Sequence, residues 1–429
     1  MHIKRQLSRL RPLAVRMLRA AYRFRHRIPR WARGPLDWLR WRLPMRWVDA
    51  LAGLTNERRV PVDLPEYHVR PEVPHTPVRV FIGPANFAGQ ANAWARALEQ
   101  HVPGVSGTVF SLETVGGFDF PHDFGIPPYA YRRNRRWQRE QFGYVRDNFT
   151  HVIIESGRPL FADLMHLDPF REAKALTRNG LVVGMISHGS DTRLPSRHAA
   201  RFTWSPYRDK DWAEVPRLER QARHNLAELK HFHGPVFAST PDLLDDLPFA
   251  RWCPVTVDLS TWASTRPLLK GKRPVVVHAP SNGHVKGSEY ADAALEPHHD
   301  SGLVEYRRIE RVLSEQMPKI YRSADIVLDQ FRIGSYGVAA CEAMAAGRVV
   351  VGNVTGDVRR AILDATGMEL PIVQAEPHEI GDVVAELVEN PARMRAIGRA
   401  SLKYVTEVHD GRYAARVIST GLEFGKKGP

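Results

Sequence analysis

Between residues 78 and 258, short apolar runs alternate with longer stretches whose apolar residues recur at helical spacing. "VRVFIG" (78–83), "HVIIES" (151–156), "LVVGMIS" (181–187), "GPVFAST" (234–240) and "RWCPVTVD" (251–258) read as short buried strands. The text after the first run, "PANFAGQANAWARALEQH", begins with small residues and turns into a helix. A strand, a glycine turn and a helix in that order open an α/β unit. The pattern restarts at "RPVVVHAPSNGHVKGSEYADAAL" (273–295), again strand, turn, helix. "ADIVLDQ", "GRVVVGN" and "MELPIVQ" follow as strands, separated by helices around 311–323, around 337–346 and from about 357. No repeat of 20–50 residues is present. The pattern predicts an α/β chain of two successive doubly wound halves, 78–258 and 273–405, with a linker at 259–272 and a closing segment at 406–429. Ligands of such sheets bind beyond the carboxyl ends of the strands, so two facing halves imply an interdomain cleft.

Length supports that division, because 429 residues exceed one ordinary core and suit two domains of roughly 150–200 residues plus extras. Cys253 and Cys341 are the only cysteines and lie far apart in apolar text, which makes neither a disulfide framework nor a metal cage. We therefore expect a reducing, cytoplasmic compartment. The net charge of +14 changes the picture only once it is located. Residues 1–46 hold 14 of the 61 Lys and Arg and one acid, Asp37, leaving the remainder with 47 bases against 46 acids. The charge belongs to an arm (1–58), followed by a proline-rich connector (59–77). In the arm, Ile3, Leu7, Leu10, Ala14, Met17, Ala21 and Phe24 form one helical stripe, and Trp31, Trp38, Trp41 and Trp47 sit among arginines. Basic amphipathic text with interfacial aromatics reads as a helix on the anionic inner face of a membrane, with residues 1–46 in contact. Packing on the body or on a second subunit, nucleic-acid binding and a transit peptide are the alternatives the residues leave open, nucleic acid not being the expected partner. Pro12 falls inside the stripe and breaks or kinks it.

Three segments carry candidate chemistry. "HAPSNGHVKG" (278–287) places Asn282, Gly283, Lys286 and Gly287 after an apolar strand; exposed backbone N–H groups and a fixed ammonium suit a diphosphate. "GSYGVAACEAMAAGRVV" (334–350) is almost wholly small or apolar, with Glu342 in its middle. A carboxylate on the second turn of a helix opened by a glycine turn can accept two ribose hydroxyls; the same residue could instead cap or pair near a helix start. "ISHGSDTR" (186–193) gathers His188, Asp191 and Arg193 at a strand end, the equipment for orienting a hydroxyl or moving its proton. "DKD" (209–211) has the form of a divalent-ion motif but lies in polar text, and no metal site is expected.

Taken together, these segments resemble the GT-B glycosyltransferases, and within them the large retaining family often called family 4. The resemblance covers about residues 78–425. It is strongest in "ADIVLDQ…GSYGVAACEAMAAGRVVV", which is similar to that family's "E-G-F-G-x-x-x-x-E-A-M-A-x-G-x-P-V-V", and in the strand–turn–"KG" unit. "FIGPANFAGQ" resembles the glycine loop opening the first half, "HGSD" the histidine motif near the acceptor, and "YVTEVHDGRYAARVI" the segment that crosses back. The resemblance implies two facing Rossmann-like domains and metal-independent transfer of a sugar, with retention, from a nucleotide-diphosphate donor to a hydroxyl acceptor. With the basic arm, that acceptor is expected to be a membrane-proximal or lipid-linked glycan. No further cofactor is implied. It places Glu342 on the ribose, and Lys286 with Asn282 and Gly287 on the diphosphate. Gly89 and the Gly337 and Val338 amides would lie near phosphate or sugar. His188 and Asp191 stand at the reacting sugar, and Asn86 and Arg193 on the acceptor side. Two positions depart from the family. The first glutamate of its E-x7-E pair falls on Gly334, and the arginine that accompanies the lysine has no equivalent at Gly283. Asp329 or Glu289 are the candidates to substitute for the missing carboxylate. A sugar-nucleotide epimerase of the same fold and a weakly active nucleotide-sugar-binding scaffold are the rival readings.

Overall fold

A computed structural model describes residues 62–113, 120–310 and 312–424. The basic arm lies outside the described residues. Asp63–Asp209 and Leu218–Pro429 form one compact unit, which contains both sheets described below.

The first sheet has seven parallel strands: β1 (Val78–Gly83), β2 (Val105–Leu112), β3 (Phe124–Ile126), β4 (His151–Glu155), β5 (Val182–Ser187), β6 (Val236–Ala238) and β7 (Arg251–Trp252), ordered β3-β2-β1-β4-β5-β6-β7. Strand side chains alternate between faces. Phe81 joins Phe110, Trp137 and Val152 in one buried cluster, while Val80 and Ile82 join Trp94, Leu98 and Ile153 in another. Both faces are therefore dry, as a doubly wound parallel sheet requires. The second sheet has five parallel strands: β8 (Val275–His278), β9 (Glu305–Arg308), β10 (Ile326–Leu328), β11 (Val349–Gly352) and β12 (Val373–Gln374), ordered β12-β11-β10-β8-β9. The strand order reverses between β1 and β4 in the first sheet and between β8 and β10 in the second. The loops leaving those four strands are where ligands of such sheets bind. The α/β architecture with two Rossmann-like sheets matches the expectation from the strand pattern.

The helices that bear on the site are α1 (Gln90–His101), α2 (Pro195–Arg201), α3 (Ser288–Asp300), α4 (Val338–Ala345), α5 (Gly356–Thr366), α6 (Pro391–Val408) and α7 (Arg412–Gly421). The chain returns to the first half at its end: Ala414, Ala415 and Ile418 of α7 are buried with Val80, Trp94 and Ile186. Where it crosses, the polar groups of the linker are taken up locally. The Gln90 side chain bonds both the N–H (2.7 Å) and the carbonyl (3.1 Å) of Thr256, and Trp94 Nε1 donates to the Pro254 carbonyl (3.0 Å). His409 Nδ1 donates to the Val255 carbonyl (2.7 Å), so its Nε2 accepts from the Tyr336 hydroxyl (3.1 Å). Burial pushes this imidazole down to about 4, which keeps it in the neutral form that this pattern needs.

Among the described residues no helix is long and apolar enough to cross a membrane.

Candidate active site

β10 is a buried apolar strand whose continuation turns polar at Asp329. One Asp329 oxygen accepts from Lys286 Nζ at 2.8 Å and the other from the Gly337 backbone N–H at 3.1 Å. Lys286 ends the single turn Gly283–Lys286 after β8, which Asn282 caps by accepting from the Val285 N–H (3.2 Å). The adjacent strands β8 and β10 thus bring the "KG" turn and the start of α4 together. Gly337 is the N-cap of α4, and Val338 at its first position has no acceptor within the helix. Glu342 lies one turn further along α4 and is partly buried. Its carboxylate accepts no hydrogen bond from the described residues, although Lys286 and Asp329 are close enough to act on it electrostatically. Burial pushes its carboxyl up to about 8, with Lys286 pulling it down and Asp329 pushing it up. An unpaired carboxylate in such a place is a hydrogen-bond acceptor awaiting donors.

Gly334 is fixed by its surroundings. Its φ is +75°, and a Cβ there would stand 2.8 Å from Thr355 Cγ2 and 3.3 Å from Phe202 Cε2. An L-residue would be strained in the backbone and would collide with the methyl group at the N-cap of α5. The missing glutamate is therefore not merely absent; this backbone leaves its side chain no room. Glu289 is exposed and only makes a 3.7 Å ion-pair contact with Arg332. At Gly283 a Cβ would stand 3.1 Å from Arg308 Nη2, so the guanidinium of β9 occupies the space beside the position where the resembled family carries an arginine. Arg308 itself pairs with Asp292 (2.6 Å) and Glu310 (2.7 Å).

In the first half the organising group is Glu155, the fully buried last residue of β4. One oxygen accepts from the backbone N–H groups of Ala85 (2.8 Å) and Asn86 (2.9 Å), and the other contacts His188 Nε2 at 3.1 Å. The loop it holds is unusual: Asn86 and Ala88 have φ of 43° and 50°, and Phe87 between them is 40% exposed. Gly89 ends the loop as the N-cap of α1, and the Asn86 side chain bonds the Pro121 carbonyl (2.9 Å) and the Asn92 N–H (3.2 Å). The His188 ring stacks on Trp94 (centroids 5.5 Å) and meets the Phe87 edge-on at the same distance. Arg158 lies over the Phe87 ring at 4.8 Å.

The two ends meet through the segment after β5. Arg332, buried, donates to both Asp209 oxygens at 2.8 Å and to the carbonyls of Trp204 and Ser205. His198 Nε2 contacts the Ile333 carbonyl at 3.0 Å. The carboxyl ends of both sheets are therefore joined around residues 332–334.

The structure thus groups Lys286, Asp329, Gly337 and Glu342 on one side and Asn86 and His188, through Glu155, on the other. Asp191 does not touch the His188 ring; its carboxylate accepts the backbone N–H groups of His188 (3.0 Å) and Gly189 (2.8 Å) and so shapes the turn. Arg193 is buried and held by Asp242, which raises its basicity. Gly287 has φ +77° with Arg332 Cγ 3.0 Å from its Cβ position, so it admits the arginine stem. Glu155 and Arg332 escaped the sequence reading. Glu155 carried a signal, a carboxylate closing the apolar run "HVIIE", the same kind of anomaly that drew attention to Glu342.

The geometry is that of the GT-B fold, two Rossmann-like sheets with their carboxyl ends brought together. Comparisons with known structures agree. The chain is similar to sucrose-phosphate synthase from Thermosynechococcus elongatus, with a TM-score of 0.53 and 14% identity over 80% of this chain and 98% of that one. It is also similar to HepE from Anabaena in complex with UDP-glucose, with a TM-score of 0.51 and 10% identity over 80% and 98%. In sequence it is 33% identical over 107 residues to a D-inositol 3-phosphate glycosyltransferase of Segniliparus rotundus. That match spans 25% of this chain and 22% of the relative's length. No family model matches the chain.

Proposed function

We propose that the protein is a glycosyltransferase that moves a sugar from a nucleotide-diphosphate donor to a hydroxyl acceptor. The observation that carries this reading is Glu342, a carboxylate without hydrogen-bond partners among the described residues on the second turn of α4, with Lys286 beside it. The carboxylate suits two ribose hydroxyls, while Lys286 and the Val338 amide suit the diphosphate. Charge developing on the leaving group is then stabilised where it forms. His188, oriented by Glu155 and wedged between Trp94 and Phe87, bonds a hydroxyl of the reacting sugar or acceptor. The glycosyltransferase relative and the HepE complexes with UDP-glucose and with UDP support a nucleotide-sugar substrate. Retention and metal-independent transfer follow from the family resemblance. The basic arm supports a membrane-proximal or lipid-linked glycan as acceptor and peripheral attachment to the inner membrane face. Deleting residues 1–46 then abolishes co-sedimentation with anionic vesicles.

Titration of the full chain with UDP, GDP and ADP tests the donor site. Binding of one of them, weakened in Glu342→Ala by about 1.5–3 kcal/mol, is expected for a lost charge-assisted hydrogen bond. Unchanged affinity removes Glu342 from the site. Gly334 favours one second reading, a nucleotide-sugar-binding protein of low activity, because no side chain there can grip the donor sugar. Turnover of a nucleotide sugar with extracted lipid acceptors separates the two.

A further inference from the structure

We infer that Asp329 is a positioning residue: it fixes the Lys286 ammonium by an internal ion pair and holds down the site's affinity for a nucleoside diphosphate. The inference rests on reading this site as one for a nucleotide diphosphate.

Lys286 is largely buried, its side chain 13% exposed, and a buried ammonium needs a counter-charge. Asp329 supplies it from a side chain 1% exposed, at 2.8 Å. Its second oxygen takes the Gly337 N–H at 3.1 Å. An ammonium and the N-cap amide of a helix are among the groups that an anion arriving at the start of α4 would use. Asp329 already engages both. The pair does not block the site, because the ammonium has three N–H donors and Asp329 uses one. It fixes where the other two point.

Two neighbouring cations are already matched. Arg308 at the end of β9 is matched by Asp292 (2.6 Å) and Glu310 (2.7 Å), and Arg332 after β10 by Asp209 (2.8 Å). Lys286, Arg308 and Arg332 are thus each balanced from within the protein, and the Asp329 charge subtracts directly from what a bound diphosphate experiences. When the sugar leaves, the nucleoside diphosphate carries one more negative charge than the diester it came from. Repulsion from Asp329 therefore acts most strongly on the product and hastens its departure.

Asp329→Asn tests this, because it keeps the shape and the acceptor for Gly337 while removing the charge and turning an amide NH2 toward Lys286. Titration with UDP, GDP and ADP, the probe being whichever the wild type binds, is expected to show affinity raised at least about fivefold. That is a modest share of what one charge a few ångströms away contributes at protein-like dielectric. The gain shrinks as salt rises. In turnover, donor KM falls and kcat falls with it, a split that simple loss of structure would not produce. A folded variant with unchanged or weaker nucleotide affinity overturns the inference. If Asp329→Asn does not melt cooperatively, Asp329→Ser is measured with the same expectation. If neither folds, the wild type decides: nucleotide affinity that changes little between low and high salt supports a balanced site, and a steep dependence overturns it. The underlying reading fails separately. Wild-type protein that binds none of the three nucleotides, or Lys286→Ala that binds as well as wild type, removes the donor site itself.

Discussion

Glu342 sits among Ala340, Cys341, Ala343 and Met344, all buried, and its own carboxyl is pushed up to about 8. An unfolded glutamate titrates near 4.5. Between those values the folded protein holds a proton that the unfolded chain has released, so this group lowers stability as pH rises from about 4.5 to about 8. Glu342→Gln removes that slope. We expect its melting temperature to equal that of the wild type at pH 5 and to exceed it at pH 8.5, by roughly 2–4 °C for each kcal/mol. A difference that does not vary with pH would place the carboxylate in a wetter environment. On the proposed function, bound nucleotide would act in the opposite sense, since ribose hydroxyls would donate to the ionised form. Gly334 is the complementary residue. Introducing the carboxylate of the family it resembles with Gly334→Glu forces a left-handed backbone on an L-residue and drives its Cβ into Thr355 Cγ2. The expected result is a loss of about 1–3 kcal/mol in urea unfolding and no gain in donor binding; a stable variant with tighter sugar binding contradicts it.

At the scale of elements, the loop 84–89 is anchored at its start by one carboxylate. Two consecutive N–H groups and one imidazole converge on Glu155, and one of those donors belongs to Asn86, whose φ is 43°. Glu155→Gln presents an amide NH2 to at least one of these partners. A loss of about 1–3 kcal/mol follows, with turnover falling further than stability because His188 loses its orientation; equal activity in the folded variant would make Glu155 purely structural. The legibility of the elements followed burial. β1, β4, β5, β8, β10 and β11 stand out in the sequence because both of their faces are covered and their residues run apolar. β2 was hidden by Ser106, Gly107, Thr108 and Ser111, which are buried between helices despite their polarity. β9, "EYRR", is an edge strand with every residue half-buried and paired to β8 alone, so no apolar run announces it. The juxtaposition of side chains was legible where a glycine turn or an isolated carboxylate broke an apolar run, as at Lys286 and Glu342. It was illegible where a role depends on residues more than a hundred positions apart, as for Arg332 and Asp209.

That long-range pair belongs to the molecule as a whole, for it joins the segment after β5 to the loop after β10. Arg332 is 4% exposed at its side chain, whereas Asp209 is 35% exposed. The asymmetry decides what each deletion costs. Removing Arg332 leaves a carboxylate that water can reach, with His284 also 3.3 Å away. Removing Asp209 leaves a buried guanidinium with carbonyl partners and Glu289 at 3.7 Å as its remaining carboxylate. Breaking a buried pair from the side that strands the charge costs about 3–5 kcal/mol. Asp209→Ala is therefore expected to destabilise the chain more than Arg332→Met. The double variant should recover much of the loss, because a well-packed methionine needs no counter-charge. Urea unfolding of the four proteins as a double-mutant cycle measures both the order and the coupling. An Asp209→Ala variant more stable than Arg332→Met would show that the carbonyls of Trp204 and Ser205, and not the carboxylate, hold Arg332 and with it the junction beside Gly334.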